Sequence, residues 1–143
     1  MAPANTPGDP IDLVIDTSAL VAILLGESDA ESLLRILDHA AYPAISAANR
    51  AELLIVMDAR IGAVGTERAR VLLSMQRIHT APLDETLADA AAGAYRRYGK
   101  GRHPAGLNFG DCFAYALAVR YAVPLLFKGE DFSRTDVLLP SLG

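Results

Sequence analysis

The chain is poor in the residues that mark redox and zinc sites. It has one cysteine, Cys112, no tryptophan and only three histidines in 143 residues. A single cysteine excludes an intrachain disulfide framework and any cysteine-built zinc site, and it fits a reducing cytoplasm. No histidine spacing suggests zinc. Long hydrophobic runs are also missing. The longest, residues 113–127, is broken by Arg120 and Pro124 and is too short to span a bilayer, so no membrane association is expected. Residues 1–10 lack a basic segment followed by an apolar core. They read as a Pro-rich extension rather than a signal peptide, ahead of one domain over residues 11–143.

What is present is a core. Apolar residues make up 52% of the chain and charged residues 21%, which excludes disorder and suits a single domain of this length. The apolar helices carry more leucine and isoleucine than one small helix pair needs, notably Leu20, Ile23, Leu24, Leu33, Leu34 and Leu37, which suggests a two-fold dimer. The net charge of −4 is unevenly spread. Residues 94–108 hold Arg96, Arg97, Lys100 and Arg102 and no acid, so they carry +4 and leave −8 on the rest. That segment is the candidate contact for nucleic-acid phosphates; a solvated Gly-rich loop is the alternative.

Strand-like and helix-like segments alternate. Residues 11–15 form a compact apolar strand, followed by a helix over about 19–25 that Gly26 stops. Ser28 and Glu31 have the spacing of a capping box for a helix bearing Leu33, Leu34 and Leu37. Residues 43–46 are a short strand, and Ser46 caps a helix running to about Arg60. Thr66 is read as the cap of a separate helix to about Gln76. A strand over 78–81, a helix capped by Asp84, a helix over 109–121 capped by Asn108, and a strand over 124–127 complete the pattern, with residues 137–139 as a last strand. Such alternation predicts a central, mainly parallel sheet covered on both faces.

Four acids stand in patterned contexts. Asp16 follows the first strand, Glu52 lies in an apolar helix segment, Asp111 is in the first turn of its helix, and Asp131 follows the last long apolar run. In parallel sheets, ligands bind beyond the carboxyl ends of the strands, where three of these acids can meet; Glu52 must arrive by packing. Separated carboxylates suit Mg²⁺ or Mn²⁺, which take hard oxygen ligands and retain water. Such a cation can lower the pKa of a bound water and offset phosphate charge. Asp16 and Asp111 are assigned as direct ligands, and Glu52 and Asp131 to water-mediated binding or water activation. Ser18 or Thr17, and Asn108, are expected to hydrogen-bond a carboxylate or a metal-bound water, with a plain helix cap as the alternative for Asn108. Alone, Asp16 also reads as a helix cap, Asp111 as a first-turn charge and Asp131 as a turn residue; Glu52 is odder, since a charge in an apolar helix segment needs a partner and Arg50 or Arg60 could be only a surface neighbour. A phosphatase with an aspartyl nucleophile would want a second acid two residues after Asp16, where Ser18 stands. A catalytically inactive binding module remains the other alternative.

Asp-Thr-Ser-Ala-Leu around Asp16, Ala-Glu-Leu around Glu52, Asn-Phe-Gly-Asp-Cys-Phe-Ala around Asp111, and Leu-Leu-Phe-Lys-Gly-Glu-Asp-Phe ending at Phe132 resemble, in that order, the motifs of the PIN domain, and within it the VapC toxins of bacterial toxin–antitoxin pairs. The resemblance covers about residues 11–139. It implies a PIN-like three-layer α/β/α sandwich and an Mg²⁺- or Mn²⁺-dependent endoribonuclease, usually dimeric, acting on RNA and inhibited by a VapB-like antitoxin. Carried over by motif, Asp16, Glu52, Asp111 and Asp131 match the acidic set and Ser18 the hydroxyl beside the first acid. The chain departs from the pattern before Asp131. Many relatives have Asn or Asp there, where Lys128 and Gly129 stand, so Glu130 and Asp136 are rivals for the fourth role.

Overall fold

A computed structural model describes residues 10–141; the extension read for residues 1–10 lies almost wholly outside them. In order, the elements are β1 (Leu13–Ile15), α1 (Thr17–Leu24), α2 (Ala30–His39), β2 (Pro43–Ser46), α3 (Ala47–Met75), β3 (His79–Ala81), α4 (Glu85–Tyr98), α5 (Phe109–Tyr121) and β4 (Leu125–Leu126), then a 3-10 turn (Asp131–Arg134). The strands make one parallel sheet in the order β3-β2-β1-β4. Parallel neighbours need long crossovers, and the helices supply them. Because β2 lies on one side of β1 and β4 on the other, the strand order reverses beside β1. That is where such sheets open a crevice at their carboxyl edge.

The pleat sorts the strand residues between two cores. Val14, Ala44 and Leu125 pack with Leu87, Ala91, Ala94, Tyr98 and Leu117 of α4 and α5. Leu13, Ile15, Ile45 and Leu126 pack with Leu20, Leu37, Leu53, Met57 and Leu73 of α1, α2 and α3. The result is the expected three-layer α/β/α sandwich. Strands buried on both faces read as short continuous apolar runs, which is why they were visible without alternation. Residues 111–118 of α5 are all buried, because that helix is enclosed by α4, α3 and the sheet.

Several local expectations are revised. Ser28 and Glu31 form no capping box: Asp29 occupies the N-cap position of α2 without a side-chain cap bond, and its carboxylate is turned toward Lys128. Thr66 starts no helix. α3 is broken earlier, at Ile61 and at Gly62, whose φ of 69° and ψ of −155° lie in a region essentially reserved for glycine. Residues 137–139 form no strand, although the Leu138 carbonyl accepts a bond from the Leu125 amide at 3.0 Å. The leucines read as a dimer surplus mostly face inward. Leu20, Leu33 and Leu37 are buried, and Ile23, Leu24 and Leu34 pack against the same core. Among the described residues, no helix is long and apolar enough to cross a membrane.

Candidate active site

At the carboxyl edge of β1 lies a cleft of about 300 Å³, lined by Asp16, Thr17, Ser18, Val21, Glu27, Glu52, Val56, Asn108, Asp111 and Lys128. Three of the four predicted acids therefore share one cleft. Each reaches it by a different local device.

Asp16 is both a helix cap and a cleft residue. Its Oδ2 accepts the Ser18 amide at 3.0 Å, opening α1 at Thr17. Its backbone amide is fixed by the Leu126 carbonyl of β4 at 2.9 Å. The side chain is buried, and Oδ1 has no hydrogen-bond partner among the described residues. Burial pushes this carboxyl from the ordinary 3.8 up to about 6; the Ser18 hydroxyl and amide pull against the rise, and the Glu52 charge adds to it. A buried acceptor without a donor is costly. A cation is the partner that would satisfy it.

Asp111 is held by the Asn108 capping box. The Asp111 amide donates to Asn108 Oδ1 at 2.9 Å, and the Asn108 amide donates to Asp111 Oδ2 at 3.0 Å. Asn108 is thus the plain cap that the sequence left open, though it also borders the cleft. Burial lifts the Asp111 carboxyl to about 7; the Asn108 amide opposes this, while the charges of Asp16, Asp131 and Glu52 add to it. Two acids raised by burial and by neighbouring carboxylates suit a site that a divalent cation would complete.

Glu52 arrives through a residue that sequence reasoning missed. Asn49 is fully buried. It takes the Ser46 hydroxyl on Oδ1 at 2.7 Å, while its Nδ2 donates to Glu52 Oε1 at 3.2 Å and to the Gly110 carbonyl at 2.9 Å. One amide therefore sets the angle of Glu52 and ties α3 to the start of α5. Its only sequence signal was the spacing Ser46-x-x-Asn49-x-x-Glu52. Neither neighbouring arginine partners Glu52 in this way: Arg50 donates to the Thr80 hydroxyl at 3.0 Å, and Arg60 is exposed. Thr17 donates to the Asn49 carbonyl at 3.1 Å rather than to a carboxylate. Ser18 binds Asp16 through its amide, while its Oγ accepts the Lys128 amide at 3.0 Å.

Asp131 stands apart from the cleft lining. It is exposed, at the start of the 3-10 turn, near enough for its charge to raise Asp111. Glu130 is also exposed. Asp136 is engaged elsewhere: it accepts a short hydrogen bond from the Tyr115 hydroxyl and pairs with Arg97 at 3.5 Å. Arg97 also lies over the Tyr98 ring at 4.7 Å. Arg96, Lys100 and Arg102 are exposed and outside the cleft. Arg96 and Arg97 lie in the last turn of α4, and the loop that bears Lys100 and Arg102 is tethered to the entry of α5 by the Gly99–Leu107 bridge. Glu27 and Lys128, which do line the cleft, were not expected there.

The donor set bears on the metal directly. Among the described residues, no three His, Cys, Asp or Glu side chains close together into a complete metal cage. Mg²⁺ does not ask for one, because it commonly takes one or two carboxylates and keeps water in the remaining positions. Asp16 Oδ1 and the second oxygen of Asp111 fit that pattern. Cys112 is buried and its thiol is pushed up to about 11, chiefly by burial, so it is no nucleophile.

Comparison with known proteins is consistent with this geometry. The PIN domain family matches residues 13–138. A Ribonuclease VapC of Mycolicibacterium smegmatis is 50% identical over 125 residues, covering 87% of this chain and 97% of the relative. The crystal structure of Mycobacterium tuberculosis VapC20, described as a sarcin-ricin loop cleaving toxin, superposes with a TM-score of 0.74 at 15% identity, covering 89% of this chain and 97% of that one. A toxin–antitoxin complex from Klebsiella pneumoniae gives a TM-score of 0.69 at 19% identity, covering 91% and 98%. At those identities the two structures speak to the fold.

Proposed function

The chain belongs to the PIN-domain family, in its VapC ribonuclease branch, and on that premise we propose that its carboxylate cleft hydrolyses RNA phosphodiester bonds with Mg²⁺ or Mn²⁺ bound by Asp16 and Asp111. The observation that carries this is the pairing of those two carboxylates in one cleft, both raised by burial, with Asp16 Oδ1 left without a donor. When bound, the cation supplies a more acidic water and neutralises charge on the phosphate.

The protein's own groups do the rest. Asp16 and Asp111 are held rigidly by cap bonds, so their free oxygens are preorganised. Glu52, oriented by Asn49, is the group placed to accept a proton from the attacking water. Asp131, at the rim, contributes through water and through its charge on Asp111. Ser18 and Asn108 support the two metal-binding carboxylates as cap partners.

The partner proposed is a short VapB-like antitoxin covering the cleft, as the toxin–antitoxin composition of a fold relative suggests, with the toxin a cytoplasmic homodimer. The test is incubation of purified protein with total bacterial RNA and Mg²⁺ or Mn²⁺, with the new ends mapped by sequencing. Discrete metal-dependent cuts, absent with chelator and in Asp111→Asn, are expected. Absence of cutting in either metal would reject the reading.

A further inference from the structure

Lys128 is the only cation among the cleft-lining residues, which include four carboxylates: Asp16, Glu27, Glu52 and Asp111. Resting on the nuclease reading above, we propose that Lys128 is the cleft's phosphate-binding residue, its ammonium poised by Glu27 and Asp29 to receive the RNA backbone.

Two attachments fix it. The Lys128 amide donates to Ser18 Oγ at 3.0 Å, joining the strand that ends at Leu126 to the first turn of α1, beside Asp16. The ammonium makes a short contact with Glu27 Oε1 and lies 3.3 Å from Asp29 Oδ1, both on the connection between α1 and α2. These carboxylates hold the lysine strongly in its charged form. The ammonium and its two partners are each about one-third exposed. Ion pairs that wet add little to stability, so bracing the fold is a weak reason for this arrangement. Its consequence is positional. Asp29 gives up its cap bond to α2 and turns to the lysine instead, and a long flexible side chain is thereby held at the cleft wall.

The charge balance gives that placement a use. A phosphodiester entering this cleft meets four carboxylates. A divalent cation offsets two of those charges and Lys128 offsets a third, which reduces the repulsion the backbone meets. Lysine suits phosphate as a compact point charge with several donors. The exposed basic residues of the loop after α4 lie outside the cleft and cannot supply this locally.

The experiment compares wild type, Lys128→Gln and Lys128→Arg on an oligonucleotide spanning the site most cut in total RNA. Binding is measured in an Asp111→Asn background so that the RNA stays intact. Lys128→Gln should weaken RNA binding by roughly ten- to a hundredfold, the size of one charge-assisted hydrogen bond. It should lower the log–log salt slope by about 0.7, one phosphate contact to a single strand. Lys128→Arg should restore most of both. Mg²⁺ binding by isothermal titration calorimetry and the melting temperature should not fall in Lys128→Gln. Wild-type cutting together with unchanged RNA affinity and salt slope in Lys128→Gln would overturn this assignment and leave the nuclease reading standing. So would a Lys128→Gln protein whose RNA loss comes with a matching loss of Mg²⁺ affinity and melting temperature, which is the pattern of a structural brace. If wild type neither cuts nor binds RNA with either metal, both readings fall together.

Discussion

The Glu52 carboxylate lies directly against Gly110: a β-carbon on that glycine would stand 2.5 Å from Glu52 Oε2 and 2.8 Å from Oε1. Residue 110 is bare where the Glu52 carboxylate of α3 reaches across the first turn of α5. Gly110→Ala has opposing effects. Alanine favours the helix by about 1 kcal/mol, while the clash falls on the movable end of one side chain. The expected outcome is a protein as stable as wild type, within about 1 kcal/mol, whose RNA cleavage drops at least tenfold as Glu52 is pushed aside. Thermal melts alongside a cleavage assay check it; equal activity would show that Glu52 need not sit there.

Asp16 and Asp111 predict a pH-dependent stability that metal reverses. Both carboxyls have folded-state values raised above 3.8, to about 6 and about 7. The folded state therefore holds their protons more tightly than the unfolded chain does. Their contribution is fully present below pH 4 and is lost as pH rises through 6 and 7. The loss should amount to a few kcal/mol. Urea titrations without divalent ions should show it as wild-type stability falling relative to Asp16→Asn/Asp111→Asn between pH 4.5 and 7.5. Mg²⁺ at pH 7.5 should restore stability in wild type and not in the double variant.

The single substitutions separate chemistry from folding. Asparagine is as good an N-cap as aspartate, so Asp16→Asn should keep α1 intact. Without metal, each of Asp16→Asn and Asp111→Asn should be at least as stable as wild type near neutral pH. Each should lose most Mg²⁺ binding by titration calorimetry and most RNA cleavage. Retained full activity in either folded variant removes that residue from the metal site.

Asn49 is expected to be the costliest polar residue to remove. Truncation orphans the Gly110 carbonyl, frees Glu52 and leaves a buried gap. Asn49→Ala should lose about 2–4 kcal/mol of stability. Its Glu52 would no longer be oriented, so activity should fall further than stability explains. Urea unfolding and cleavage at a temperature where the variant is folded distinguish the two losses.

Lys100 and Arg102 test the outer RNA path. Both are exposed on a loop tied to the entry of α5. Lys100→Ala/Arg102→Ala should weaken RNA binding similarly across sequences and flatten the salt slope by about 1.4 in log–log units. Mg²⁺ affinity should be unchanged. An unaltered slope would mark the loop as solvated surface. Arg97 is a poorer probe, because it also serves Asp136 and Tyr98.

Much of this molecule was legible in its residues because the relevant physics is local. Apolar runs between turn signals identified the buried strands, and the alternation with helices identified a parallel sheet. Ser46, Asp84 and Asn108 cap α3, α4 and α5 as their spacing predicted. The order of the four motifs around Asp16, Glu52, Asp111 and Asp131 pointed to the family, and three of those acids line one cleft. Capping failed as a guide where a distant partner competed: Asp29 turns to Lys128, 99 positions away, and leaves α2 without a side-chain cap. The break in α3 fell at Gly62, where a backbone dihedral open to glycine outweighed the cap chemistry of Thr66. Asp136 looked like an alternative acid until Tyr115 and Arg97 claimed it. Glu27 and Lys128 carry no local signature of their roles, and Asn49 only its spacing from Ser46 and Glu52, because each role also needs a partner on another element. Periodicity and spacing fix which elements form; which side chains meet is decided only when those elements pack, since contact depends on three-dimensional distance and not on separation along the chain.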